Sequence, residues 1–94
     1  MSDEVYEQIA VRIIKSQETI IGPVAVEQAQ RVPHLKLDWA SKKISIEGDA
    51  VKAINNLVEV YKELFGQISV EVSKEAASPL IGKLSTGELP EALK

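Results

Sequence analysis

The apolar residues Val51, Ile54, Leu57, Val58, Tyr61, Leu64 and Phe65 recur at intervals of three and four. A helix, with 3.6 residues per turn, gathers such positions onto one face, and so continuous a face has to be buried against another part of the fold. Asp49 stands where an N-cap belongs, and Gly66 where a helix-ending glycine does. Tyr6, Ile9, Ala10, Ile13, Ile14, Ile20 and Ile21 repeat the pattern near the N-terminus, with Ser2 or Asp3 as N-cap. Gly22-Pro23 kinks or breaks this first helix, and Val24, Ala25, Val26 and Ala29 continue it to about residue 31.

Between the two helices the period changes to two. Leu35, Leu37 and Trp39 alternate with Lys36, Asp38 and Ala40, and Ile44 and Ile46 alternate with Ser45 and Glu47 across a Ser41-Lys42-Lys43 turn. This predicts a β-hairpin. Beyond Gly66, Ile68, Val70 and Val72 alternate with Ser69, Glu71 and Ser73, which predicts a third strand reached by a right-handed parallel crossover through the central helix. The expected fold class is α+β: a three-stranded mixed sheet with helices on one face. From Lys74 the periodicity decays, and Ser78-Pro79, Gly82, Ser85-Thr86-Gly87 and Pro90 punctuate short apolar clusters. Residues 1–77 are expected to form a single α+β domain, and 78–94 an irregular C-terminal tail, flexible or docking.

Composition narrows the function classes. With 94 residues, 45% hydrophobic and 27% charged, the chain suits one ordinary globular domain. It has no cysteine, which excludes disulfides, thiolate catalysis and Cys-ligated zinc. Aromatics make up 4%, leaving few platforms on which bases, sugars or flat cofactors could stack. Its 14 acidic and 11 basic residues give a net charge of −3, the reverse of the basic surplus that phosphate-backbone binding uses. The acidic start without an apolar run predicts no secretory leader, and no stretch approaches the roughly 18 apolar residues of a membrane span. A cytoplasmic protein is expected.

A search for catalytic groups finds no constellation. The single histidine, His34, sits in the Pro33-His34-Leu35 turn with no nucleophile or carboxylate placed beside it by the sequence, and is read as a loop residue. Glu47 and Asp49 flank Gly48, but Asp49 is better used as a helix cap, and no third acidic ligand follows at calcium-loop spacing. Glu59 and Glu63 lie one turn apart on the outer face of the central helix. The stretch Gly82-Lys83-Leu84-Ser85-Thr86-Gly87 resembles a phosphate loop only superficially, since no clear helix follows the lysine. No cofactor or metal is expected, and no enzymatic activity.

Two features point to binding instead. Val11 lies on the polar side of the first helix, Val60 lies off the main stripe of the central one, and Leu80, Ile81 and Leu84 cluster in the tail. Such surplus apolar residues, together with open sheet edges, are candidates for a protein interface, including a homodimer. Lys36, Lys42 and Lys43 gather near the hairpin as candidate contacts to an anion or RNA. In the stretch 44–54, a strand, Gly48 and an Asp49-capped amphipathic helix follow one another, with a further strand expected beyond. This order, over roughly residues 35–72, is similar to that of KH-like RNA-binding modules. The resemblance implies single-strand RNA binding by a diverged member, one lacking the GXXG loop with which that family clamps the backbone. The leading expectation is a small cytosolic non-enzymatic interaction module, adaptor or regulatory subunit, that self-associates.

Overall fold

A computed structural model describes residues 2–94 apart from the side chains of Ser2, Asp3 and Thr86, so the N-cap expected at Ser2 or Asp3 lies outside the described residues. Helix α1 spans Ser2–Ile21 and α2 Val24–Ala29; a hairpin of β1, Leu35–Asp38, and β2, Lys43–Ile46, follows; α3 spans Ala50–Phe65 and α4 Gln67–Ile81. Two 3-10 turns, Thr86–Glu88 and Glu91–Leu93, complete the chain.

Helix α1 is the central element, packing against α2, α3, α4 and β2. Its stripe of Tyr6, Ile9, Ala10, Ile13 and Ile14 is buried, and meets Ala53, Ile54, Leu57, Val58 and Tyr61 of α3 in one core. Gly22, at φ +78°, ends α1 in a conformation that residues with a Cβ rarely adopt, and Pro23 precedes α2. At the start of α3 the Asp49 side chain accepts a hydrogen bond from the Lys52 N–H at 3.1 Å.

The hairpin pairs Leu35 with Ile46, Lys36 with Ser45, Leu37 with Ile44 and Asp38 with Lys43. Leu35 and Ile44 are buried, Leu37 and Ile46 half-buried, and Lys36, Asp38, Lys43 and Ser45 face solvent, the alternation a one-sided sheet requires. The first strand stops one residue short of Trp39, which opens a 3-10 turn through Ser41, and Lys42 closes the loop at φ +57°. In that position Lys42 holds its Nζ 4.3 Å from the Trp39 ring centre and donates to the Trp39 carbonyl at 3.1 Å.

The expected three-stranded mixed sheet is overturned: among the described residues about 70% are helical, and the sheet they form has two antiparallel strands. The segment read as a third strand is the first half of α4, so the parallel crossover disappears, and with it the sheet that the KH resemblance implies. The reason lies in the residues between the large ones. Ser69, Val70, Ser73, Ala76 and Ala77 form the buried face of α4, at spacings of one, three, three and one. This is a helical stripe made mostly of small side chains, which lets α1 and α4 approach closely. Ile68, by contrast, is 72% exposed and Val72 only half-buried.

The α1–α4 seam is antiparallel and bonded by polar groups. Buried Gln17 donates from Nε2 to the Ser69 carbonyl at 3.0 Å and to Ser73 Oγ at 3.3 Å, and Ser73 Oγ donates to the Ser69 carbonyl at 2.9 Å. Further along, Arg12 Nε donates to the Ala76 carbonyl at 2.7 Å. Among the described residues no buried side-chain nitrogen or oxygen lacks a partner. Helix α4 runs through Ser73-Lys74-Glu75-Ala76-Ala77, all compatible with helix, and carries Pro79 in its last turn. Where an irregular tail was expected, α4 therefore persists to Ile81. The Glu91–Leu93 turn then packs on α3 and α4, with Pro90 and Leu93 buried and the Ala92 N–H donating to Asn55 Oδ1 at 2.8 Å. Tyr6 donates its hydroxyl to the Glu88 carbonyl.

Candidate functional site

An open groove of about 580 Å³ runs between the N-terminal half of α1, the outer side of β2 and the end of α4. Val11, Ile44 and Leu80 supply its apolar floor; Glu4 and Glu7, with Arg12 at the far end, line it from α1, and Lys42 and Lys43 line it from the hairpin. Local structure explains this convergence. Val11 is set apart from the α1 core stripe and so turns toward the hairpin, while the left-handed Lys42 bends the loop back along β2. Pro79 and Gly82 end α4 beside them, leaving Leu80 half-buried.

Four of the residues singled out in the sequence, Val11, Leu80, Lys42 and Lys43, thus border one groove. The others lie elsewhere. Val60, Ile81 and Leu84 are half-buried against the core. Lys36 points off the exposed face of the hairpin and pairs with Glu47 at 2.7 Å. That hydrogen bond and the opposite charge raise the Lys36 ammonium above its ordinary pKa and hold the Glu47 carboxyl below its own. His34 is exposed at φ +71° beside Gly48, and its carbonyl accepts from the Glu47 N–H at 2.8 Å. Among the described residues no group of three histidines or acids stands close enough to hold a metal ion.

A second surface was missed in the sequence. Ile20, Leu64, Phe65 and Ile68 are exposed, Ile20 at 62% and Ile68 at 72%. Ile20 and Val72 border the same shallow depression on the outer side of the α1–α4 seam, and Ile68 lies one turn from Val72 along α4. Leu64 and Phe65 sit at the adjacent α3–α4 corner. A signal was present in the adjacent pairs Ile20-Ile21 and Leu64-Phe65. Neighbours on a helix point about 100° apart, so at a helix end the core reaches only part of such a pair.

Among the described residues, no helix is long and apolar enough to cross a membrane. Comparison with protein families, curated proteins and solved structures finds no match to the chain. The class is therefore set by architecture: four helices centred on α1 with one β-hairpin packed against it, a two-signed groove where hairpin, α1 and α4 meet, and an apolar depression adjoining it on the α1–α4 seam.

Proposed function

We propose that this protein is a small non-enzymatic interaction module of the cytoplasm that acts as a homodimer, its copies meeting through the outer face of the α1–α4 seam. The observation that carries the reading is the exposure of Ile20 and Ile68 beside half-buried Val72, in a molecule whose core is otherwise well filled. An exposed apolar face framed by polar side chains is characteristic of surfaces that associate. A second copy suits the charges of this face: exposed Arg12 of α1 and exposed Glu75 of α4 both border the depression, and neither is in an ion pair among the described residues. A two-fold axis running along the seam lays α1 of each copy over α4 of the other, and unlike charges meet.

Sedimentation equilibrium across micromolar concentrations tests this. The expected result is a reversible dimer that Ile68→Glu converts to monomer without changing the circular dichroism spectrum. A clean monomer of the unaltered protein at high micromolar concentration would overturn the reading.

A further inference from the structure

The groove, which adjoins the α1–α4 depression at Arg12, has a feature that neither its charge nor its apolar floor conveys: one of its sides is the edge of a sheet. The Glu47 N–H donates to the His34 carbonyl, so residues 34 and 47 form a hydrogen-bonded pair. In an antiparallel ladder such pairs alternate, so 36 with 45 and 38 with 43 bond across the hairpin. Ile44 and Ile46 then direct their N–H and C=O groups away from β1, toward the outer edge of β2. Among the described residues these groups have no backbone or side-chain partner beyond the hairpin. An edge of this kind is a template for another strand.

We infer that the groove binds an extended segment of a partner protein, which adds to β2 as a third strand. The segment pairs its backbone with Ile44 and Ile46 and sets one aliphatic side chain on Val11 and Leu80. At about 3.3 Å per residue, the edge of β2 accommodates roughly four residues. The flanking chemistry follows from the walls. Glu4 and Glu7 stand across from Lys42 and Lys43, and no ion pair forms between the walls within the described structure. A ligand with one acidic and one basic residue flanking its aliphatic centre pairs with both walls at once, which fixes its direction. This groove meets the α1–α4 face at Arg12 but does not include Ile20 or Ile68, so Ile68→Glu, which removes the dimer, tests the two readings separately.

The test uses the intact protein and a panel of blocked hexapeptides that alternate valine with threonine and carry one glutamate and one lysine at their ends, in both orders. Backbone amide resonances and hydrogen exchange are followed. The expected result is that one order slows exchange at Ile44 and Ile46 while the reverse order binds more weakly. Methylating the central peptide nitrogens should abolish the effect. Val11→Glu should weaken binding about tenfold with the helical spectrum unchanged, and Ile68→Glu should leave it intact. Three results would overturn the inference: no member of the panel perturbing Ile44 or Ile46 at millimolar concentration, protection of these amides by protein concentration alone, or their perturbation by single-stranded RNA in place of peptide. The second would assign the edge to another copy of the chain, and the third would assign the lysines to phosphate.

Discussion

Tyr61 is wholly buried and donates its hydroxyl to the Ala25 carbonyl at 2.7 Å, tying α3 to α2. Burial, with a smaller contribution from the charge of Glu18, pushes its pKa well above that of a free phenol. The unfolded chain therefore releases this proton first as pH rises above about 10, and the folded state loses stability at roughly 1.4 kcal/mol per pH unit from there upward. In a Tyr6→Phe background, phenolate absorbance should accordingly appear together with alkaline unfolding rather than ahead of it. The Lys36–Glu47 pair works at the other end of the scale. The contribution from the depressed Glu47 carboxyl is present above its unfolded pKa and fades as pH falls through the lower folded one. Lys36→Ala should return the Glu47 carboxyl titration, followed by carbon NMR, to the ordinary range. Gly66 has φ +80° and ψ −168°, a region essentially reserved for glycine, and it makes the sharp turn between α3 and α4. Gly66→Ala is expected to destabilise the fold by about 1–3 kcal/mol in urea titration, although the space around a new Cβ is open.

At the level of elements, α4 separates two kinds of pattern. Alternation of Ile68, Val70 and Val72 reads as a strand because large apolar residues dominate any search for periodicity. The stripe that is buried is the small one, Ser69, Ser73, Ala76 and Ala77, with Val70 beside it. Close approach to α1 and the Gln17 bonds reward small side chains there, which hydropathy does not register. Denaturation of two variants distinguishes the patterns: Ala77→Leu should overpack the seam and cost about 1–3 kcal/mol, whereas Ile68→Glu should change stability by no more than about 0.5 kcal/mol. A buried third strand would give the reverse order. By contrast α1, α3 and the hairpin were readable, because their periods are carried by Ile, Leu, Val and Tyr and their ends are marked by Gly22, Asp49 and Gly66. The candidate site was readable only as separate residues. Val11, Lys42, Lys43 and Leu80 could be named as unusual, but not joined, since they come from three elements distant in sequence.

Over the whole molecule, the C-terminal residues close the core. Leu93 is buried and the turn around it is held to α3 through Asn55, so Leu93→Ala should cost about 2–5 kcal/mol in chemical denaturation. A change under about 0.5 kcal/mol would show that this end contributes little to the core. Composition and pattern alone establish two long amphipathic helices, a break at Gly22-Pro23 and a hairpin. These follow from local rules, the 3.6 and 2.0 periods and the conformational limits of glycine and proline, which act within a few residues of one another. The identity of α4, the union of Val11 and Leu80 with the two lysines, and the exposure of Ile20 and Ile68 came only with the tertiary structure. Each depends on which surface α1 presents to segments some 25 to 70 residues away, and packing of that range leaves no mark in any local period.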